Sequence, residues 1–385
     1  MKQSLFLLLF VFFILTDVSA GGKEINPAPL LIIEGLGKGY STPAISSNRI
    51  FITGEQEGTG FLFAYDFKGN LLWKEEYGRE WSANYPGSRA SPAIIDSTVY
   101  TSSGMADIAC FDLKTGKKRW DLNMIRELHG VNAVFGYSMP VLIEKERIYC
   151  QPGGPDTNIV CLNRFTGKII WRSAGNGETP GYASPLIFRH HERNLLVTFS
   201  ELAMLGLDAD TGELLWTYEL SLKGDAPCNK PIYSEGFLYI VAGQGNGALK
   251  FEISDDASQI NEIWHNIEFD SYFGGFVKIG DFLYGSSDSN RLWCSISAET
   301  GKVADSLTFR TGATVSSGKD LILYNQLGKV GLVRLNQEKM ILEKSFKITL
   351  GTNEHFSLPL VAAGRIFIRH GDALLVYDYE QLKNL

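Results

Sequence analysis

The 385-residue chain lacks the short motifs by which several enzyme classes are recognised. It has no Gly-x-Ser-x-Gly elbow, no His-Glu-x-x-His and no Cys-x-x-Cys-His. These absences argue against an α/β-hydrolase, a zinc peptidase of that type and a covalently attached haem. The formal net charge is −7, and no basic stripe is visible along the sequence. We therefore expect no nucleic-acid partner, because such a partner needs clustered positive charge.

Apolar runs long enough to span a membrane are also missing. The run from Leu5 to Leu15 follows Lys2 and is too short to cross a bilayer. Small residues follow at Val18, Ser19 and Ala20, as at a signal-peptidase cleavage site. The pattern predicts a signal peptide over residues 1–20 and one mature domain over 21–385, exported to the periplasm or the outside of a bacterial cell. An uncleaved membrane anchor is the alternative.

Cysteine is scarce, with five residues in the whole chain. In an exported protein Cys150 and Cys161 are the best candidates for a disulfide, provided that a symmetric hairpin about residues 153–158 places them opposite each other. The alternative, which we favour, is that both are small buried apolar residues. Cys110 holds the same third-strand position as Cys161, one repeat earlier, without an evident partner.

A repeated phrase is what the sequence does contain. Asp or Asn, then Thr-Gly, then Trp five residues after the Thr, recurs from Asp112 to Trp120, from Asn163 to Trp171 and from Asp208 to Trp216. Weaker copies lie at 297–301 and 66–73. Self-similarity at a fixed long period indicates stacked or radial units.

A second repeated feature divides the chain into eight units. A proline opens an alternating apolar segment at positions 43, 92, 140, 185, 231 and 359, and the units near residues 276 and 313 lack only that proline. Alternation with period two predicts four short antiparallel strands per unit, which is a propeller blade. The last unit lacks a fourth strand, so we expect Leu30–Ile33 to supply it and close the ring. The predicted fold is an all-β, eight-bladed propeller, and we expect a monomer.

The strand order predicts which loops share a rim. We call loop rim the side with the loops that lead into first strands or join second to third strands, and turn rim the side with the Thr-Gly turns. Function usually resides in irregular loops on a rigid scaffold. The long loops 78–89 and 124–137 therefore suggest a partner surface with Trp81, Tyr85 and His129.

Residues just before the first strands should surround the mouth of the central channel, where convergent Arg, Tyr, His and Asn side chains favour a ligand or cofactor site. The candidates before first strands are Arg89, Tyr137, Tyr182, Asn229, Tyr272 and His355, and the second-to-third loops add Gln151, Asp156, Glu201, Gln244 and Arg369. The alternative is that these groups satisfy loop backbone and fill the channel. We predict no metal site, because His190 and His191 lie in a turn without further ligands.

The Asp/Asn-x-x-Thr-Gly phrases ending at Trp120, Trp171 and Trp216 resemble the quinoprotein-like, or PQQ-like, propeller repeats. The phrases at 152–156, 181–185 and 366–371 are similar in style to exported bacterial propellers of the polyvinyl-alcohol-dehydrogenase-like group. The resemblance implies a propeller over nearly the whole mature chain. It implies either an alcohol dehydrogenase that uses pyrroloquinoline quinone (PQQ) with calcium, or a non-enzymatic propeller such as that of the bacterial outer-membrane assembly machinery.

The sequence departs from the enzymatic branch of this family. Many of those dehydrogenases carry two adjacent cysteines above the quinone, and no two cysteines are adjacent here. Their Glu and Asn calcium ligands and catalytic Asp match no motif in this chain. We therefore expect a binding or scaffold protein of the cell envelope that holds a protein, peptide or saccharide. The alternatives are a PQQ-dependent dehydrogenase of alcohols or sugars, and a degenerate enzyme that keeps its pocket as a sensor.

Overall fold

The computed structural model describes residues 21–220 and 227–385, so the predicted signal peptide lies outside the described residues. Eight antiparallel sheets of four strands each form a propeller, which confirms the predicted all-β fold. None of the helices in the described ranges is long and apolar enough to cross a bilayer. The two short helices are Met124–Leu128 and Tyr379–Asn384.

The strand bounds follow the repeat closely. In blades one to four they are Ala44–Ser46, Arg49–Gln56, Thr59–Asp66, Leu71–Arg79; Ala93–Ile95, Thr98–Ser102, Asp107–Asp112, Lys118–Asn123; Leu142–Glu144, Arg147–Cys150, Ile159–Asn163, Ile169–Ser173; and Leu186–His190, Arg193–Phe199, Ala203–Asp208, Leu214–Glu219. In blades five to eight they are Ile232–Ser234, Phe237–Val241, Ala248–Ile253, Ile260–Asn266; Phe276–Ile279, Phe282–Ser287, Leu292–Ser297, Val303–Leu307; Gly312–Ser317, Asp320–Asn325, Lys329–Asn336, Lys339–Lys347; and Leu360–Ala362, Arg365–His370, Ala373–Asp378, Leu31–Ile33.

The N-terminal strand closes the ring as predicted. Leu31–Ile33 runs antiparallel to residues 374–376 and is the fourth strand of blade eight. A second N-terminal segment, Lys23–Glu24, pairs in parallel with residues 344–345 and adds a fifth strand to blade seven. The sequence did not predict that segment. Both pairings join the beginning of the described chain to its last two blades.

The Asp of the repeated phrase builds the turn between the third and fourth strands. In blade four, Asp208 Oδ1 accepts hydrogen bonds from the backbone N–H of Asp210 and Thr211, both at 2.9 Å, and from the Thr211 hydroxyl at 3.1 Å. Gly212 follows with φ of +81°, a conformation that glycine adopts without a steric penalty. Local side-chain hydrogen bonds thus explain why the phrase forms a tight turn wherever it occurs.

The Trp of the repeated phrase packs against the next blade. A Cβ atom added to Gly212 would lie 2.5 Å from Cε3 of Trp171, so only glycine leaves room for that ring. The Trp171 indole N–H donates to the Ala209 carbonyl of the same turn at 3.2 Å. Trp73, Trp120 and Trp264 pack likewise on the glycines of the following turns. These contacts place the tryptophans at the interfaces between neighbouring blades.

The hydrophobic core is divided among the interfaces between blades. In the described part of the chain, each pair of adjacent blades encloses one cluster of buried apolar side chains, eight in all. Such burial stabilises each interface by roughly 25 cal/mol per Å² of apolar surface removed from water. The rigid ring leaves the loops of one rim free to differ from blade to blade.

The hypothesis of a symmetric hairpin that joins Cys150 to Cys161 is wrong. Cys150 pairs with Val160, and Cys161 pairs with Tyr149, so the two cysteines are offset by one residue. Side chains one position apart point to opposite faces of a sheet. Both thiols are free and buried, in agreement with the alternative that we favoured, and burial raises the pKa of the Cys161 thiol to about 11.

Candidate functional site

A cavity of about 440 Å³ lies at the mouth of the central channel on the loop rim. We call it the axial cavity. Loops that lead into every blade except the seventh contribute to its lining, and most of the lining side chains are aromatic. The residues are Tyr40, Tyr85, Arg89, Phe135, Ser138, Tyr182, Cys228, Ala242, Gln244, Tyr272, Phe273, Phe356 and Leu358.

Phe356 is the hub of the aromatic wall. Its ring centroid lies 4.9 Å from that of Phe273, 5.7 Å from Tyr85 and 5.8 Å from Tyr40. The Phe273 and Tyr85 contacts are edge-to-face, an arrangement that aromatic rings prefer. Side chains from blades one, two, six and eight therefore meet on a single ring, which gives the cavity a rigid apolar wall.

Arg89 ties the two long loops together at the cavity wall. Its guanidinium donates to the carbonyl of Phe135, to that of Asn84 at 2.5 Å and to that of Tyr85 at 2.8 Å. Burial lowers the pKa of Arg89, although the nearby carboxylate of Glu80 opposes that shift. The Phe135 backbone N–H donates to the Tyr182 hydroxyl at 3.1 Å. Arg89 and Tyr182 thus both line the cavity, as expected for residues at the channel mouth.

Tyr137 and Asn229 are buried and hold loops together. The Tyr137 hydroxyl donates to the carbonyls of Val131 and Pro152 at 2.8 and 2.7 Å. The Asn229 side chain donates to two carbonyls, including that of Ser271 at 2.7 Å, and accepts from the Gly275 N–H at 2.9 Å. Neither side chain lines the axial cavity.

Arg369 and His355 also lie outside the cavity. Arg369 is fully buried and donates to the hydroxyl of Ser41 and the carbonyl of Thr53, both at 2.6 Å, so it joins blade eight to blade one. Burial lowers the Arg369 pKa to about 10. The His355 ring stacks on His370 with centroids 3.7 Å apart, and burial followed by the His370 charge lowers its pKa to about 4.

The three residues predicted for partner binding have different surroundings. Tyr85 is 50% exposed at the edge of the axial cavity, and His129 is exposed at the end of the Met124–Leu128 helix. Trp81 is half-buried, and its ring lies 2.7 Å from the Cβ that an alanine at position 136 would carry. Trp81 therefore packs the loop against Gly136, whereas Tyr85 and His129 face solvent.

The axial cavity does not fit PQQ bound with calcium. That cofactor carries several carboxylates, yet Arg89 is the one cation in the described lining, and its N–H groups already face backbone carbonyls. The same lining contains no carboxylate. Within residues 21–220 and 227–385, no cluster of three or more His, Cys, Asp or Glu side chains could hold a metal ion. Calcium needs six to eight oxygen ligands, of which carboxylates are the strongest.

Two features of this rim were missed from the sequence. The first is the aromatic set of Phe356, Tyr40 and Phe273. Each of these residues lies a few positions before the first strand of a blade, and that shared position could have predicted the set. The second is Glu80, which is 4% exposed. It accepts hydrogen bonds from the Tyr77 hydroxyl and, at 2.7 Å, from the Gly104 N–H, and burial raises its pKa to about 7. Sequence alone gives no sign of this burial.

The fold is that of a PQQ-like β-propeller. A protein-family profile described as "Outer membrane protein assembly factor BamB" matches residues 32–122 and 58–307. The matches cover more than half of the chain, which therefore belongs to this family.

Curated relatives are quinoprotein dehydrogenases, matched over part of their length. The chain is 26% identical over 165 residues to a quinoprotein ethanol dehydrogenase of Pseudomonas aeruginosa, covering 39% of this chain and 25% of that protein. It is 27% identical over 170 residues to a 1-butanol dehydrogenase (quinone) of Thauera butanivorans, covering 39% and 26%. The match thus spans about a quarter of each curated relative.

Solved structures share the fold. BamB from Moraxella catarrhalis superposes with a TM-score of 0.66 at 16% identity, covering 91% of this chain and 99% of that chain. Quinohemoprotein alcohol dehydrogenase from Comamonas testosteroni superposes with a TM-score of 0.64 at 10% identity, covering 91% and 76%. At these identities the likeness concerns the fold, which serves both binding proteins and enzymes.

Proposed function

We propose that the protein is an exported binding or scaffold protein of the bacterial cell envelope that accepts an apolar or aromatic side chain of a partner protein in its axial cavity. The observation that carries this proposal is the aromatic wall around Phe356. Aromatic and apolar pockets of this size are suited to anchor residues at protein interfaces. A peptide or a saccharide that stacks on the same rings is the related alternative ligand.

Exposed apolar side chains on the loop rim extend the same surface. Tyr272 is 40% exposed and Leu358 is 38% exposed beside the cavity, while Val134, Leu202 and Leu327 are 61%, 46% and 55% exposed in neighbouring loops. Exposed apolar side chains that gather on one face of a protein are characteristic of interaction sites. These residues support a partner that covers the rim as well as filling the cavity.

The envelope location rests on the N-terminal sequence and on the family. Residues 1–20 have the composition of a signal peptide, and the matching family profile bears the name of an outer-membrane assembly factor. We place the mature protein in the periplasm, with the outside of the cell as the alternative.

Site-directed crosslinking tests the partner proposal. A photoactivatable residue at position 85 should crosslink a partner in the living cell, whereas one at Phe165, which is 48% exposed on the turn rim, should not. The double variant Tyr85→Ala, Tyr272→Ala should weaken binding of that partner by about tenfold or more. Tenfold corresponds to a loss of about 1.4 kcal/mol of binding free energy, which is typical when aromatic anchor residues are removed from an interface. Phe165→Ala is the control. Crosslinks equal at both positions, or unchanged affinity of the double variant, would overturn the proposal.

The dehydrogenase alternative is favoured by the similarity to quinoprotein dehydrogenases. Purified protein is incubated with PQQ and calcium, then assayed by thermal unfolding and by dye reduction with a panel of alcohols and sugars. Reduction of the dye would show that the protein is a dehydrogenase and would overturn the binding proposal. A thermal shift without dye reduction would favour the sensor, and neither effect is expected for a binding protein.

A further inference from the structure

A groove between blades six and seven lies on the loop rim beside the axial cavity. Its volume is about 370 Å³. The lining combines two arginines with one acid, two uncharged polar residues and one leucine: Asp288, Arg291, Arg310, Thr311, Gln326 and Leu327. We call it the arginine groove. Arg291 precedes the third strand of blade six, and Arg310 lies in the loop that leads into blade seven.

Both arginines have unused donors. In residues 21–220 and 227–385 neither guanidinium group forms an ion pair or a hydrogen bond, and both residues are exposed. Arginines of the turn rim behave differently, since Arg147 pairs with Asp210 at 2.7 Å and Arg164 with Asp96 at 2.5 Å. Two unpaired arginines in one concave groove are arranged for an anionic ligand, because the guanidinium fork matches an anionic oxygen pair.

The backbone at both arginines is anchored. The Arg291 N–H donates to the Ser287 carbonyl at 2.9 Å, and the Arg310 carbonyl accepts from the indole N–H of Trp293, which is fully buried. Because the backbone is fixed at both positions, the two arginine side chains can move only by changing rotamer. A ligand would therefore lose less free energy to ordering of the protein than on a mobile loop.

The charges of the groove favour a monoanion. Asp288 is its acid, and Asp288 Oδ2 accepts from the Tyr272 N–H at 2.9 Å. Behind it, Asp270 accepts from the N–H groups of Gly245 and Gly247 at 2.9 and 2.8 Å, so backbone donors offset its charge. Two arginines against one lining carboxylate leave about one positive charge for a ligand. A carboxylate matches this balance, whereas a dianionic phosphate carries one more negative charge and would be repelled more strongly by Asp288.

We propose that the arginine groove is a carboxylate-binding subsite, in which Arg291 and Arg310 each donate to the anionic oxygens and the Gln326 amide provides a further donor. Tyr272 connects the two sites, because its side chain lines the axial cavity and its backbone N–H holds Asp288. On the basis of the proposed function, the partner segment carries an acidic group a few residues from its apolar anchor. Binding of the carboxylate itself does not depend on that function.

Titration of the purified protein with the α-amide of N-acetylglutamate, which carries a single carboxylate, tests the subsite without any partner protein. Arginine side-chain NMR signals, assigned with the variants Arg291→Gln and Arg310→Gln, should shift in a saturable manner at low salt. Each variant should weaken binding by about tenfold, corresponding to roughly 1.4 kcal/mol. Arg172→Gln changes an exposed arginine on the outer strand of blade three and is the matched control, which should bind normally.

Inorganic phosphate at equal ionic strength is the second arm and should bind more weakly than the carboxylate. Phosphate binding as tight or tighter would overturn the carboxylate assignment, and so would a carboxylate shift that both variants retain or that never saturates. If no partner crosslinks to the photoactivatable residue at position 85, that result would instead count against the proposed function of the axial cavity. Failure of one proposal is therefore distinguishable from failure of the other.

Discussion

The absence of a side chain at Gly212 leaves the space that the indole of Trp171 occupies. We predict that Gly212→Ala destabilises the protein by about 2–4 kcal/mol, because the new methyl group clashes with the ring in addition to straining a positive φ. Gly236→Ala is the matched control, since Gly236 has φ of +86° and no atom within 4 Å of an added Cβ. It should cost about 1 kcal/mol, from backbone strain alone.

Denaturant unfolding of the two alanine variants measures the difference. Equal midpoints for Gly212→Ala and Gly236→Ala would show that the indole contact contributes nothing beyond the backbone term. A larger loss at position 212 would assign the excess to packing between blades three and four.

Glu80 should make stability depend on pH. Its folded pKa of about 7 lies above the ordinary value of 4.5 for a glutamate, so between these values the unfolded chain has lost a proton that the folded chain keeps. The contribution is therefore fully present below about pH 4.5 and is lost as pH rises to about 7, with a total of about 3 kcal/mol. Glu80→Gln should remove this decline in the free energy of unfolding.

The control for this pH effect is Glu76→Gln, which alters an exposed carboxylate on the strand that ends just before Glu80. Unfolding is followed from pH 4.5 to pH 7 for the three proteins. Parallel pH profiles for wild type and Glu80→Gln would show that the Glu80 carboxyl titrates as an ordinary surface acid.

At the scale of the strand, Leu31–Ile33 tests how much ring closure contributes. Ile33 is 5% exposed in the cluster between blades eight and one, whereas Ile32 on the same strand is 40% exposed. We expect Ile33→Ala to cost about 2–4 kcal/mol and Ile32→Ala less than about 1 kcal/mol. Thermal unfolding of both variants is the measurement, and a similar loss for both would show that the strand is not fixed by its buried side.

Elements whose structure is determined locally could be predicted from the sequence. The Thr-Gly turn depends on hydrogen bonds that Asp208 accepts from Asp210 and Thr211, so its phrase identifies it wherever it recurs. The closure strand could be inferred because the last unit lacked a strand. The pairing of Lys23–Glu24 with blade seven could not, since two residues far from their partner carry no periodic signal. The offset of Cys150 from Cys161 depends on hairpin register, which spacing alone leaves undetermined.

The candidate site was predictable in its location but not in its composition. The rim followed from the strand order, and Arg89 and Tyr182 do line the axial cavity. Tyr137, Asn229 and Arg369 are instead buried in hydrogen bonds to loop backbone. One sequence cannot distinguish a polar side chain that faces a channel from one that satisfies the loop around it, because both occur in the same segments of a blade.

At the scale of the whole molecule, the ring is held without a covalent link between Cys150 and Cys161. We predict that alkylation after denaturation, without reductant, modifies both residues and that a reductant leaves the melting temperature unchanged. Peptide mass spectrometry of the labelled protein is the check. In the folded protein both should resist alkylation, because they are buried and the thiolate is the reactive form. A peptide pair joined through these cysteines would contradict the strand register.

The packing of each tryptophan on the next turn has a direction around the ring. Trp73 contacts Gly116, Trp120 contacts Gly167 and Trp171 contacts Gly212, while Leu31 makes the equivalent contact with Gly69 where the ring closes. In these repeats the fourth strand supplies a side chain to the following blade, and the turn before it receives one from the preceding blade. A tandem duplication of one repeat would create two copies that already fit each other, so a gene of this kind can grow by whole blades without any new interface having to arise.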